Sequence, residues 1–158
     1  MPLPPAKWKP VGVFDSLTAA NTRSNCDECG RRLRYVHRIA DARGTRTLRV
    51  GFCCASRLCS GMGYDPKAAE RQARNRAGRL RTFIGGRWRK NENGNLVRRS
   101  RGALVTVYHR AGWWGFCVKE VRRGPSFSNR LFRLAEEAKV AAFDVLEQLF
   151  SNTPKENP

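Results

Sequence analysis

The stretch between Cys26 and Cys59 constrains the fold of this chain more than any other, because it holds five of the six cysteines. It begins with the pattern Cys-x-x-Cys-Gly at 26–30 and ends with the pattern Cys-Cys-x-x-x-x-Cys at 53–59. A Cys-x-x-Cys followed by glycine is typical of a knuckle, a tight turn that presents two thiolates while the glycine adopts a positive φ. The window therefore predicts a small module assembled around a metal ion.

The metal expected from an all-cysteine cluster is Zn²⁺, and a closed structural zinc site needs four ligands. We predict one zinc ion bound by Cys26, Cys29, Cys54 and Cys59, with Cys54 and Cys59 on either side of a short turn. Cys53 and Cys54 are neighbours whose side chains point apart on an extended chain, so only one of them is expected to reach the ion. The second pair stays open to alternatives, since Cys53 or His37 could replace Cys59 or Cys54.

The cysteines and His37 also have interpretations that involve no metal. A Cys-x-x-Cys redox pair usually precedes a helix in a βαβ unit, and no such unit is visible here. Disulfides would require a secreted protein, and the first residues do not form a signal sequence, so we expect a reducing cytoplasm. The alternative for His37 is a strand residue that hydrogen-bonds to the backbone.

The residues between the cysteine groups predict a β-hairpin. Apolar and polar side chains alternate over 33–39, the run 41–45 has turn chemistry, and 47–52 reads as the returning strand. The knuckle thus leads into a hairpin that returns Cys54 to the metal. Residues 1–24 are proline-rich at first and are expected to be extended, with loops near 15–17 and 21–25.

The segments that carry a resemblance are Cys26-x-x-Cys29, the Tyr-Val-His run at 35–37, the run 50–55, and Trp88-Arg89 with Gly94-Asn95. Together they resemble a group of small bacterial and mobile-element proteins of undefined function. The resemblance implies a treble-clef or zinc-ribbon module, a basic helix and a small C-terminal α+β unit. It also implies a second ligand pair of the form Cys-x-x-His. Arg57 stands at that fourth position here and cannot bind zinc, so Cys59, Cys53 and His37 come into consideration.

The net charge of +18, from 31 basic and 13 acidic residues, indicates a polyanionic partner. Of the basic residues, 24 are arginine, which suits phosphate contacts and stacking on bases. The charge is uneven, at +7 over 1–64, +9 over 65–102 and only +2 over 103–158. The nucleic-acid surface is therefore expected on the first two segments.

The middle segment supplies most of the candidate contacts. Residues 65–84 predict a helix with Asp65 as N-cap, a narrow alanine stripe and arginines on the other faces. Residues 85–102 predict a basic linker or hairpin around the Asn93-Gly94 turn, with Trp88 either stacking on bases or anchoring a sheet. The candidate nucleic-acid-binding residues are Arg71, Arg74, Arg79, Arg81, Arg87, Trp88, Arg89, Arg98, Arg99 and Arg101.

Residues 103–150 predict three strands followed by a helix. Alternation places strands at 103–109, 114–119 and 130–134, with a turn at 111–113, and an apolar face places a helix at 136–150. This βββα order resembles nucleic-acid modules of the integrase N-terminal or double-stranded-RNA-binding type, a likeness of element order that fixes no function. The predicted organisation is a zinc module with an N-terminal arm at 1–64, a basic helix and linker at 65–102, the βββα unit at 103–150 and a tail at 151–158.

The chemistry of an enzyme is not expected. The chain has two histidines and few acidic residues, and it carries no glycine-rich phosphate loop, no nucleophile elbow and no clustered carboxylates. No apolar run is long enough to cross a membrane, and no small-molecule substrate is evident.

Two functions fit this α+β chain. The first is a zinc-stabilised protein that binds DNA or RNA mainly through phosphates. The alternative is a subunit or inhibitor docked in a larger nucleoprotein, such as a phage defence or counter-defence complex. Such a subunit would use exposed aromatic anchors, since aromatic residues are enriched at interfaces. The candidates for these anchors are Trp8, Phe14, Trp113 and Phe127.

Overall fold

A computed structural model of the chain describes residues 7–16, 24–121 and 123–151. Its described part has a mixed α+β architecture with three helices and three sheets, which confirms the predicted fold class at that level. The chain divides into two compact units, 1–79 and 80–158, whereas the predicted divisions follow residues 64, 102 and 150. The proline-rich first six residues and the predicted tail, apart from Ser151, lie outside the described residues.

The described residues of the first unit form five strands and a short helix, and the second helix runs from this unit into the next. The strands are β1 (Trp8–Asp15), β2 (Ser24–Asn25), β3 (Arg32–Leu33), β4 (Tyr35–Asp41) and β5 (Thr47–Val50). The helices are α1 (Phe52–Leu58) and α2 (Pro66–Gly85). The predicted hairpin of the zinc module is confirmed as β4 and β5, and the predicted helix at 65–84 is confirmed as α2.

Strands β1, β4 and β5 form an antiparallel sheet with β4 in the centre. One face of this sheet supplies the core of the first unit, where Trp8, Ile39 and Val50 pack with Ala55 of α1. The turn between β4 and β5 is held by Asp41, whose carboxylate accepts hydrogen bonds from the backbone N–H and the hydroxyl of Thr45 at 2.8 and 2.7 Å. These bonds, led by the one from the hydroxyl, lower the pKa of Asp41.

The start of α2 is set by its capping residue. Asp65 Oδ1 accepts hydrogen bonds from the backbone N–H groups of Lys67 and Ala68 at 2.9 and 3.1 Å, which is the N-cap arrangement expected of aspartate. Pro66 follows at the first helical position, where its missing N–H has no helical partner to lose. None of the helices in the described ranges combines the length and apolarity that a membrane span needs.

The second unit is a five-stranded antiparallel meander backed by a helix. Its elements are β6 (Arg89–Lys90), β7 (Leu96–Ser100), β8 (Ala103–Arg110), β9 (Trp113–Glu120), β10 (Gly124–Phe127) and α3 (Ala135–Ser151). The strands lie in sequence order across the sheet, from β6 to β10. The predicted strands at 103–109 and 114–119 and the predicted helix at 136–150 are confirmed as β8, β9 and α3, although Trp113, predicted in the turn, belongs to β9.

The predicted third strand at 130–134 is wrong. The strand that pairs with β9 is β10, and the later segment makes only the isolated bridge between Phe132 and Trp114. The reason is packing, because the side chain of Phe132 is buried in the core instead of lying in a ladder. β6 and β7 belong to the same sheet, so the predicted linker is part of the meander.

The core of the second unit lies on one face of this sheet. Val105, Val107 and Val118 are fully buried there against Phe143 and Leu146 of α3. Strand residues alternate between the two faces, so their neighbours in sequence point to the opposite face. No element of the described part of the second unit packs on that opposite face, which we call the uncovered face; it carries Arg89, Arg99, Arg110 and Lys119.

Candidate metal centre and basic surfaces

Three thiols converge in the first unit. The sulfur atoms of Cys26, Cys29 and Cys54 all lie within 4.8 Å of one another. Zinc–sulfur bonds of about 2.3 Å in a tetrahedral site put sulfur atoms about 3.8 Å apart, so the group is close to the spacing that one ion would impose. This convergence confirms that the described residues can hold a metal ion through three of the four predicted ligands.

The knuckle that carries Cys26 and Cys29 is a turn between β2 and β3, closed by backbone hydrogen bonds. The N–H of Gly30 donates to the carbonyl of Cys26, and the N–H of Cys26 donates to the carbonyl of Arg31, both at 2.8 Å. Gly30 adopts a φ of 72°, in the left-handed region that glycine enters without strain. The glycine predicted to shape the knuckle therefore does so.

The knuckle is fixed to β5 through its second residue. The N–H of Asp27 donates to the carbonyl of Arg49 at 2.8 Å, and the Asp27 carboxylate accepts from the N–H of Arg49 at 2.7 Å. Strand β5 ends at Val50, and α1 begins at Phe52 and carries Cys54 in its first turn. The same strand thus positions both the knuckle and the helix that brings Cys54 to it.

The thiols of the group have shifted pKa values. Burial raises the pKa of Cys26, but hydrogen bonds from the backbone of Gly51, Cys29 and Glu28 together lower it by more than burial raises it. The net pKa is therefore below the ordinary value. Burial, together with the two neighbouring thiols, raises the pKa of Cys54 to about 11. Backbone N–H groups that point at a sulfur stabilise its thiolate, which is the form that binds a metal.

Cys59 is not part of this group, which corrects the predicted ligand set. The segment 53–59 was expected to turn, but Phe52–Leu58 is helical, and five residues along a helix rotate a side chain by about 140°. Cys59 therefore points away from Cys54 and is buried in the core of the first unit, with 2% exposure. Burial raises the pKa of this thiol, as expected of an inert core cysteine.

The alternative ligands also lie elsewhere. His37 is fully buried, and both of its ring nitrogens are used, Nδ1 with the hydroxyl of Tyr64 at 2.7 Å and Nε2 with Glu70 at 3.0 Å. It therefore ties β4 to α2 through side chains and not, as the alternative interpretation had it, through the backbone. Cys53 is exposed and outside the three-thiol group.

The arginines predicted to bind nucleic acid on α2 have exposed side chains. This applies to Arg71, Arg74, Arg79 and Arg81. The side chain of Arg74 contacts Tyr35. It donates to the hydroxyl of Tyr35 at 3.3 Å and lies 5.5 Å from the centre of that ring.

Two of the predicted arginines lie on the uncovered face of the sheet. Arg89 pairs with Val97 and Arg99 pairs with Leu104, and all four side chains point to the face opposite the core. Together with exposed Arg87 they line an open depression of about 550 Å³. This is a concave surface with several guanidinium groups at its rim.

Arg98 and Arg101 are used inside the second unit. Arg98 points to the core side and donates to the carbonyls of Thr82 and Phe83 at 3.2 and 2.7 Å, near the end of α2. Arg101 forms a 2.8 Å ion pair with Glu147 of α3. Both were predicted as nucleic-acid contacts, and the structure gives both an intramolecular partner. For Arg98 the reason is alternation along β7, which sends it to the opposite face from Arg99.

Trp88 takes the anchoring role that was the alternative to stacking on bases. Its indole N–H lies 3.2 Å from the carbonyl oxygens of both Phe83 and Ile84. Its ring meets Phe83 edge-on with 5.3 Å between centroids, and Lys139 lies over the ring at 5.2 Å. These contacts favour the anchoring role of Trp88, and stacking on bases stays a prediction.

Sequence reasoning missed three side chains of the uncovered face. These are Tyr108, Arg110 and Lys119. Alternation along β8 and β9 places them on the same face as Thr106 and Cys117. The outward set of the five described strands includes no acidic residue. The signal available was the alternation in β8 and β9, which assigns each of these residues to the face opposite the buried valines.

No family model matches the chain, no curated protein is significantly similar to it, and no solved structure matches it significantly. The function must therefore be inferred from the two features described above. One is the three-thiol group of the first unit, and the other is the uncovered basic sheet of the second.

Proposed function

We propose that this chain is a nucleic-acid-binding protein whose first unit is stabilised by zinc. The observation that carries the proposal is the outward face of the five-stranded sheet, where the cations Arg89, Arg99, Arg110 and Lys119 share the face with no acidic residue of the described strands. Four like charges on one face repel one another in the free protein. A polyanion that neutralises them gains affinity through released counterions.

The aromatic residues of this face support the same proposal. The ring of Tyr108 lies over Gly115 on the next strand, where a Cβ atom would come within 2.6 Å of the ring. Because glycine leaves that space free, the half-buried Tyr108 ring lies against the sheet. Aromatic rings beside cations are the arrangement that proteins use to stack bases while holding phosphates.

The exposed arginines of α2 add to the proposed phosphate contacts. Arg71, Arg79 and Arg81 are exposed cations along the helix, in the segment with the highest net charge. We propose that these residues strengthen binding without selecting a sequence, because phosphate contacts carry no base information.

For the first unit we propose a treble-clef arrangement around Zn²⁺. A knuckle, a hairpin and a helix follow one another, and the helix supplies Cys54 from its first turn. A unit of 79 residues has a small core, and metal binding would add its free energy directly to folding.

The experiment that tests nucleic-acid binding uses fluorescence anisotropy of short labelled DNA and RNA, single- and double-stranded. The double variant Arg89→Ala/Arg99→Ala should bind at least about tenfold more weakly, a loss of roughly 1.4 kcal/mol or more. The matched control is Lys90→Ala, because Lys90 is exposed and neighbours Arg89 but points to the other face. Equal losses in the two variants would contradict a specific role for the uncovered face.

The second candidate, docking in a nucleoprotein complex, has one supporting observation. Among its predicted anchors, Trp113 and Phe127 are 42% and 66% exposed, whereas Trp8 is buried in the core and Phe14 is half-buried. A tagged pull-down with and without nuclease separates the two functions. A stoichiometric protein partner that survives nuclease and is lost on Trp113→Ala would favour docking over direct nucleic-acid binding.

A further inference from the structure

Arg57 stands beside the three-thiol group, at the place where a fourth ligand would be expected. It follows Cys54 by three residues in α1, and residues at that spacing lie on the same face of a helix. Its guanidinium donates to Glu28 of the knuckle at 2.6 Å. The ion pair of Arg57 and Glu28 thus links helix α1, which carries Cys54, to the knuckle, which carries Cys26 and Cys29.

Arg57 cannot itself be a ligand. The guanidinium stays protonated in proteins and offers five N–H donors but no lone pair. Glu28 reinforces this, because its hydrogen bond and its charge raise the pKa of Arg57. The side of the group next to Arg57 therefore has hydrogen-bond donors and a positive charge, which favours an anion there.

The other thiols and both imidazoles of this chain lie outside the three-thiol group. All six cysteines and both histidines lie within the described residues. Cys59 is buried in the core, His37 is bonded through both nitrogens, and Cys117 and His109 belong to the second unit. Cys53 is exposed and lies about 100° around α1 from Cys54.

We propose that the centre holds its metal through Cys26, Cys29 and Cys54 only, and that its fourth ligand is exchangeable. That ligand is water, which a small anionic donor such as a thiolate replaces, with Arg57 holding the incoming anion. This inference rests on the proposed metal centre and goes beyond it, because a structural zinc site is closed by four protein ligands and an open position is typical of reactive sites. The exposed position of Cys29 gives solvent access to the ion.

Charge balance agrees with this assignment. Three thiolates and one divalent ion leave a single negative charge, and Arg57 lies next to it. A fourth thiolate from solution would double that negative charge, and the nearby guanidinium would offset the increase. The same interaction is lost when Arg57 is replaced by a neutral side chain.

The test uses the full chain loaded with Co²⁺ under reducing conditions, because thiolate ligands give charge-transfer bands that grow with their number. The wild type should show three-thiolate intensity, and added 2-mercaptoethanol should raise it to that of four. Arg57→Cys should show four-thiolate intensity from the start and no response to the thiol. Arg57→Gln should respond only at a severalfold higher thiol concentration.

Different failures have different meanings. Four-thiolate intensity in the wild type, unaffected by the thiol and reduced by Cys53→Ser or Cys59→Ser, would overturn the open position while keeping the metal centre. No thiolate band at all would contradict the metal centre and this inference together. If Arg57→Cys does not fold, Arg57→His supplies a nitrogen ligand, and its spectrum should likewise not respond to the thiol.

Discussion

The phenol ring of Tyr108 lies over Gly115 on the neighbouring strand, where an added Cβ would come within 2.7 Å of its hydroxyl oxygen. The two residues are directly paired in the ladder between β8 and β9. This glycine is needed for the space it leaves. The Tyr108 ring therefore lies flat against the uncovered face of the sheet at this point.

Gly115→Ala should therefore destabilise the second unit by forcing the Tyr108 ring off the sheet. Overpacking of this kind costs about 1–3 kcal/mol. Urea unfolding of a double-mutant cycle with Tyr108→Ala measures the coupling, since removing the ring also removes the clash. An identical cost of Gly115→Ala in both backgrounds would show that the ring does not occupy this position.

Arg98 and Arg99 should separate stability from binding. Arg98→Ala removes charged hydrogen bonds to the carbonyls of Thr82 and Phe83 and should cost about 1.5–3 kcal/mol of unfolding free energy. Arg99→Ala removes an exposed side chain, so stability should change by less than about 0.5 kcal/mol while nucleic-acid affinity falls. Unfolding and anisotropy measured on both variants check this, and a reversed pattern would contradict the assigned faces.

These neighbours also show how far sequence reasoning reaches. Local patterns predicted the knuckle, the hairpin β4–β5 and both long helices, because turn chemistry and periodicity are determined by adjacent residues. The faces of Arg98 and Arg99 depend on the register of β7 within a five-stranded sheet, and the sequence predicted only a basic linker or hairpin there, without a register. The face to which a strand residue points can be predicted only after the strand itself has been predicted.

The ligand set failed for a similar reason. Cys54 and Cys59 seemed paired because a turn between them would bring them together, and the helix α1 separates them. The helix begins directly after β5, with Gly51 as its N-cap residue and without a side-chain cap bond, so it carries no strong start signal. Burial of His37 between Tyr64 and Glu70 is a tertiary arrangement that no local pattern indicates.

Purified protein should contain about one equivalent of zinc, and Cys26→Ser should lose it together with the stability of the first unit. The matched control is Cys117→Ser, because Cys117 lies on the sheet of the second unit and outside the three-thiol group. Metal analysis and thermal unfolding measure both effects. Zinc content below about half an equivalent, with no change on Cys26→Ser, would contradict a metal centre.

Tyr64→Phe should destabilise the first unit, because it leaves Nδ1 of the buried His37 without its partner. Loss of one buried hydrogen-bond partner costs about 1–3 kcal/mol. Tyr35→Phe is a suitable control, since the hydroxyl of Tyr35 contacts only the exposed Arg74 among the bonds described. Equal stabilities of the two variants would contradict a structural role for the His37–Tyr64 pair.

The pH dependence of this pair follows from the tyrosine. Burial, reinforced by the negative charges of Cys59, Glu70 and Asp65, raises the pKa of Tyr64 to about 12 from an ordinary value of 10.0. A raised folded-state pKa means that the stabilisation is complete below about pH 10 and is lost as the pH rises towards about 12. Urea unfolding across that range should show a loss in the wild type that Tyr64→Phe does not share.

The most direct test of nucleic-acid binding by the uncovered sheet is the salt dependence of affinity. If the four outward cations contact phosphates, log K should fall with log salt at a slope of about −3 or steeper between about 50 and 200 mM. Arg89→Ala/Arg99→Ala should reduce that slope by about 2, and Lys90→Ala should leave it unchanged. A flat salt response of the wild type, or an unchanged slope in the double variant, would contradict the proposed function.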